Sequence, residues 1–282
     1  MGLIYYVSTD GSDSNNGLSV NQAFQTITHA INIATNEGSF GNKIWIAPGI
    51  YYETVYNDYR VYNDLSIEGD SSGIIFGVPK DAINVGEIYF YFGEATHSIV
   101  RLKNIMTGSI AIIAETQYME NPLETCDLYL TNFALGGNFG ISTWCSLIAV
   151  NCTFYGSCDC ITGTFYNCIA NAGFWVGETL LHSCFSPYIY PAEGYTIDNI
   201  TVQNHIYNSA QFSNIEGREY LLAEGSPGID SGMIIEGYSP DIYGNVRPQG
   251  IAPDRGVAES IANPTMTIVQ CVAISFYHVE VI

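Results

Sequence analysis

Ala149-Val150-Asn151-Cys152-Thr153-Phe154 is followed sixteen residues on by Phe165-Tyr166-Asn167-Cys168-Ile169-Ala170, and sixteen further on by Leu181-His182-Ser183-Cys184-Phe185-Ser186. A weaker copy continues the spacing at Ile197-Asp198-Asn199-Ile200, and earlier ones stand at Leu130-Thr131-Asn132-Phe133 and Leu102-Lys103-Asn104-Ile105. In each unit the apolar position two before the Asn or Ser and the one just after it are three apart. That breaks the two-residue period of a strand. A break in parity at a fixed place means that the chain turns there while both arms keep facing one core. Asn suits such a corner because its short amide tolerates the left-handed region and bonds locally. Hairpins would alternate the side of each corner. A turn repeated every sixteen residues instead predicts a solenoid of short parallel strands. The predicted corner ladder is Asn104, Asn132, Asn151, Asn167, Ser183 and Asn199, with regular coils over about 128–202.

Composition narrows the functional classes. Only 13% of residues are charged, and the net charge is -20 with eight Lys and Arg. Nucleic acid requires a basic face, so the chain is not expected to bind it. A strongly anionic polymer held without metal is disfavoured for the same reason. No apolar run of about twenty residues is present, and no membrane insertion is expected. No basic segment precedes Leu3-Ile4-Tyr5-Tyr6-Val7, so no signal peptide is visible in this chain. The even count of eight Cys permits disulfides without demanding them. Cys152, Cys168 and Cys184 fall in one stacked column, as small buried apolar residues would. Cys158-Asp159-Cys160 is too closely spaced for a zinc knuckle, and no metal site is expected there.

Taken in order, the chain begins with a strand at 3–7 and a polar turn at 8–18. Ile27, Ala30, Ile31 and Ala34 then fall on one face of a helix, predicted over about 26–37. This helix would cover the open end of the first coil. In Tyr89-Phe90-Tyr91-Phe92 one alternate pair faces the core, and Tyr89 and Tyr91 are the candidate sugar-stacking rings. Residues 115–126 interrupt the repeat. Arg247, Asp254 and Arg255 suggest an ion pair that fixes irregular backbone. Residues 260–282 are apolar and β-prone, and are expected to cap the solenoid or to add a strand to another subunit.

Two stretches resemble the right-handed parallel β-helix superfamily, which includes pectate lyases and many surface and phage tail proteins. The first runs from Tyr5-Tyr6-Val7-Ser8 through Asp10-Gly11-Ser12-Asp13, Asn16-Gly17 and Phe24-Gln25-Thr26-Ile27, with Gly49-Ile50-Tyr51-Tyr52-Glu53 after it. The second comprises Ser226-Pro227-Gly228-Ile229-Asp230-Ser231-Gly232, Asp241, Gly244-Asn245, Arg247-Pro248 and Asp254-Arg255-Gly256-Val257-Ala258-Glu259. Val257-Ala258 departs slightly from the superfamily's closing pattern. The resemblance implies an all-β, single-stranded, right-handed parallel β-helix over residues 1–259, with an N-terminal capping helix and a C-terminal β tail.

Two functional readings follow. One is a non-catalytic structural or attachment protein of a virion or cell surface, homo-oligomeric or bound to other structural subunits through 261–282, whose rigid flank meets glycans. The alternative is a polysaccharide lyase or glycoside hydrolase acting on extracellular carbohydrate. A lyase would need Ca2+ held by carboxylates and an Arg or Lys base. Arg60, Lys80, Arg101 and Lys103 are the candidate bases in the first half. A hydrolase would need carboxylates across a groove. The catalytic candidates are His182 and Asp198, predicted to be neighbours on adjacent coils, together with Glu178; Glu68 with Asp70 is a further carboxylate pair. No cofactor is implied for the structural reading.

Overall fold

The computed structural model describes residues 2–36, 41–57, 64–79, 81–92, 97–114, 125–141, 145–214, 219–237 and 240–260. Residues 115–124 of the expected excursion and the tail from 261 onward lie outside the described residues.

The fold is a right-handed parallel β-helix. Its strands fall on three faces. The first face runs from Ile4–Val7 through Asn42–Ile46, Asp64–Gly69 and Cys145–Val150 to Ile200–Gln203, all parallel. The second is built from two-residue strands, Thr153–Phe154, Ile169–Ala170, Phe185–Ser186 and Ile206–Tyr207. The third passes from Gly49–Asn57 and Ile83–Phe92 through Phe139–Ile141 to Ile189–Pro191. Strands Ser157–Tyr166 and Gly173–His182 each serve two faces: their first halves pair on the third face and their second halves on the first.

The corner between the first and second faces holds a ladder of left-handed residues. Asn104, Asn132, Asn151, Asn167, Ser183 and Asn204 have φ of 57°, 46°, 54°, 53°, 53° and 49°. Side-chain amides link neighbouring corners: Asn132 Nδ2 donates to Asn104 Oδ1 at 3.0 Å, Asn167 Nδ2 to Asn151 Oδ1 at 3.0 Å, and Asn204 Nδ2 to Ser183 Oγ at 3.0 Å. The corner expected at Asn199 lies instead at Asn204. Asn199 ends the 3-10 turn Ile197–Asn199, where its side-chain oxygen accepts the Thr196 backbone N–H at 3.0 Å. This turn inserts five residues into the last coil and displaces the corner by that much.

The register inside the cylinder shifts accordingly. Phe185 pairs with Ile206, so Cys184 stands opposite His205 and the thiol column ends in an imidazole rather than at Ile200. Phenylalanines fill the cylinder in a winding chain. Phe139 to Phe154 is 5.3 Å between ring centroids, Phe154 to Phe165 is 6.4 Å, and Phe165 to Phe174 is 5.1 Å. Each is fully buried, which stabilises the fold by about 2–3 kcal/mol per ring. The seven described cysteines are buried.

The helix Ile27–Asn36 covers the first coil with Ile27, Ala30, Ile31 and Ala34. Its first-turn N–H groups have no intrahelical acceptors. Glu53 accepts from Ile27 N at 2.7 Å and Thr28 N at 3.0 Å, and Asp13 accepts from Gln25 N at 2.9 Å and Thr26 N at 3.0 Å. Glu53, the fifth residue of Gly49-Ile50-Tyr51-Tyr52-Glu53, therefore belongs to the cap. Tyr51 is buried and bonds Ala47 O at 2.9 Å, and Glu53 holds the helix start.

Residues 226–237 and 240–259 return along the second face as a strap. Asn132 Nδ2 donates to Pro240 O at 2.6 Å, Asn167 exchanges bonds with Met233 at 2.8 Å each way, Val257 N donates to Thr153 Oγ1 at 3.1 Å, and Arg255 Nη1 donates to Cys184 O at 2.7 Å. Together with the hairpin of Phe212–Asn214 and Glu219–Leu222, the strap builds a second core against the outside of this face. That core joins Met106, Ala134, Ile169 and Phe185 to Phe212, Ile242, Val257 and Ala258. The expected ion pair is present with a different partner. Arg247 Nη1 meets Glu259 Oε1 at 2.7 Å, with side chains 3% and 1% exposed. Asp254 accepts Asp230 N and Ser260 N, and Arg255 donates to backbone carbonyls.

Candidate functional site

The strap closes the second face, so the outward columns of the first and third faces are the ones to read. On the third face, strands stack in register, and one column runs Gly140, Asp159, Trp175, Tyr190. Trp175 and Tyr190 lie 4.3 Å apart at 26°, and Tyr188 is 5.6 Å from Tyr190 at 32°. The three rings are 45%, 37% and 55% exposed. In-register parallel pairing brings adjacent coils to about 4.8 Å, and that spacing forces rings at equivalent positions to stack face to face.

Trp175 is flanked along its own strand by Gly173 and Gly177, which share its outward parity. A Cβ at Gly177 would lie 2.5 Å from Ile161 O and 3.2 Å from the Tyr195 ring. A Cβ at Gly173, where φ is 121°, would lie 3.1 Å from Tyr188 O. Glycine at both positions makes room for the Tyr188 backbone and the Tyr195 ring. Asp159, one coil back, is exposed. Partial loss of solvent around it raises its pKa above the ordinary value, while a hydrogen bond with Ser157 works the other way.

The catalytic candidates do not converge. His182 pairs in register with Tyr166 on one side and Gln203 on the other, so the neighbour expected at Asp198 is Gln203. His182 Nδ1 lies 3.3 Å from Ser183 Oγ. Asp198 sits in the 3-10 turn. Glu178 is exposed opposite Thr162. Of the proposed stacking rings, Tyr89 is half-buried and its hydroxyl bonds Glu87 Oε2 at 3.2 Å. The Tyr91 side chain lies outside the described residues. Asp70 turns inward to its own loop, accepting Ile75 N at 2.7 Å and Phe76 N at 3.1 Å, away from Glu68. Glu68 pairs instead with Lys43 at 2.9 Å.

A solved structure similar to this one is that of pectate lyase Pel9A, 10% identical, with a TM-score of 0.35, covering 92% of this chain and 96% of that chain. No family model matches the chain, and no curated protein matches it.

The Trp175 column lies away from the corner repeat and from Tyr89-Phe90-Tyr91-Phe92, the two places where outward residues stand out in the sequence. The signal was present in Gly173-Phe174-Trp175-Val176-Gly177, where one large aromatic sits at outward parity between two glycines.

The described thiols lie in the core. Burial pushes Cys160 up to about 12, and pushes Cys158 and Cys168 well above the ordinary thiol range, so they stay protonated in the core. His205 is a different case. Burial lowers its pKa to about 4, Arg255 adds to the lowering, and contact with the Ser186 backbone opposes it. The folded state therefore prefers neutral imidazole, and the unfolded chain takes the proton first as pH falls. The His205 contribution is complete above the unfolded value of about 6.5 and is lost as pH falls through about 4. Allowing for partial solvent access, the loss is about 1–3 kcal/mol. Urea unfolding of the wild type and of His205→Gln between pH 7.5 and 4 measures it. The difference between the two proteins should shift across this interval, and a constant difference would refute the assignment.

Proposed function

We propose that this protein is a rigid, non-catalytic structural or attachment component of a virion or cell surface, and that one flank of its β-helix binds glycans. The observation that carries the reading is the exposed stack of Trp175, Tyr190 and Tyr188 on the third face. Aromatic rings present large apolar area with little side-chain entropy to lose, and they stack on the C–H faces of sugars. The dispersal of His182, Asp198 and Glu178 supports recognition over catalysis. Residues 261–282 are the proposed assembly element, joining copies of this chain or neighbouring structural subunits at an exposed particle surface.

Labelled protein applied to a panel of immobilised glycans tests the binding. Incubation of soluble polysaccharides, followed for new reducing ends and for absorbance of unsaturated products, tests catalysis with and without Ca2+. The expected result is selective retention with neither product. Product release would replace this reading with the second one, a carbohydrate-degrading enzyme. That alternative draws its support from the first face, where Lys43, Arg101 and Lys103 stand among Asp64, Glu68 and Asp127. For assembly, light scattering of the intact chain and of a variant lacking 261–282 should give a lower mass for the truncated form. Equal masses would remove that part of the proposal.

A further inference from the structure

The column that carries the rings also contains a step. Tyr190 covers one face of the Trp175 indole at 4.3 Å. The opposite face looks back along the column toward Asp159 and then Gly140. Both are much smaller than Trp. A Cβ built at Gly140 would meet nothing within 4 Å, so the space outside that coil is open.

We propose that this step is a binding site for one uncharged pyranose unit, with the sugar's C–H face on the Trp175 indole and two of its hydroxyls donating to the Asp159 carboxylate. The proposal rests on the glycan-binding reading above and specifies its site and ligand class. Size supports it. Trp175 and Gly140 are two strand spacings apart, about 9.6 Å. A ring held by a carbon contact above and another below needs about 7–8 Å. Asp159 rises from the intervening coil at the back of the gap and supplies acceptors at the level of the ring.

Ring orientation separates a sugar from a cation. Aromatic rings that hold quaternary ammonium surround it from several directions. Here Trp175 and Tyr190 are stacked, 26° apart, and Tyr188 tilts by 32° against the far ring, Tyr190, so no ring closes over the free face of the indole from the side. A stacked pair offers one flat face, which fits a ring and not a sphere. Charge separates neutral from acidic sugars. A chain of net charge -20, with Asp159 in the step, repels uronate and sialate carboxylates.

The test uses saturation-transfer NMR and Trp fluorescence on the full chain, with cellohexaose, maltohexaose and a β-galactan hexasaccharide as neutral probes. Oligogalacturonate, sialyllactose and choline are the charged ones. At least one neutral probe should bind. Trp175→Ala should weaken it at least tenfold, Trp175→Phe by less, and Asp159→Asn by about three- to tenfold. Circular dichroism of each variant checks that the coils remain. Neutral binding that survives Trp175→Ala moves the site elsewhere and leaves the glycan reading standing. Absence of binding by any sugar, together with negative glycan arrays, ends both. Preferential choline binding overturns the ligand class. A concentration-dependent dimer abolished by Trp175→Ala would reassign the step to contact between copies.

Discussion

Replacing Glu259 by Ala lowers the unfolding free energy by about 3–5 kcal/mol, the cost of leaving a buried guanidinium without its counter-charge. The pair is 2.7 Å apart and almost wholly enclosed. Burial lowers the pKa of Arg247 and raises that of Glu259, so desolvation outweighs the mutual attraction on both sides. A pair in that balance adds little net stability when intact and costs much when broken. Glu259 also accepts Gln249 N at 3.0 Å and Asp254 N at 2.8 Å, and both donors would be orphaned. Urea unfolding at neutral pH measures the loss. Arg247→Met combined with Glu259→Ala should be less damaging than the two single losses added together, because no lone charge remains. Strict additivity would show that the two residues do not act as a pair.

Asn167→Ala is the second large effect, about 3–5 kcal/mol. Its φ of 53° costs an ordinary residue about 1–2 kcal/mol. Its side chain also donates to Asn151 Oδ1 and Met233 O and accepts from Met233 N, bonds that contribute about 1 kcal/mol each. The two causes separate experimentally. Asn167→Gly restores the backbone freedom and not the bonds, so it should recover about 1–2 kcal/mol relative to Ala. Equal losses in Ala and Gly would mean that the corner conformation carries no strain.

Parity made most of the cylinder legible. A three-residue interval between inward positions forces a corner, and it does so at Asn104, Asn132, Asn151, Asn167 and Ser183. The same rule misread the last coil because Ile197-Asp198-Asn199-Ile200 imitates the corner pattern inside a local turn. Nothing in spacing distinguishes an Asn that tolerates left-handed backbone from an Asn that caps a 3-10 turn; both uses exploit the same short amide. The correct corner, Asn204, is followed by His205 where an apolar residue was expected. Ser186 and the surrounding rings accommodate that imidazole. The identity of Glu259 as the partner of Arg247 was hidden for another reason. Asp254 and Glu259 are both within reach in sequence, and only the course of the strap directs the first to backbone N–H groups and the second to the guanidinium. The aromatic step was legible in composition and invisible in register until Asp159 and Gly140 were known to stand behind Trp175.

The strap has a consequence for the order of events when this chain folds. Each coil needs only the one before it, so stacking can follow synthesis from the helical cap onward. The strap joins Pro240 to Asn132 and Val257 to Thr153, partners 108 and 104 residues apart. These contacts cannot form until the coils they cross already exist. A growing chain therefore carries a finished cylinder with Met106, Ala134, Ile169 and Phe185 still bare along one side. The strap residues 226–237 and 240–259 convert that adhesive intermediate into a sealed stack, and reversal begins where the sealing ended, by peeling the strap from the side of otherwise intact coils.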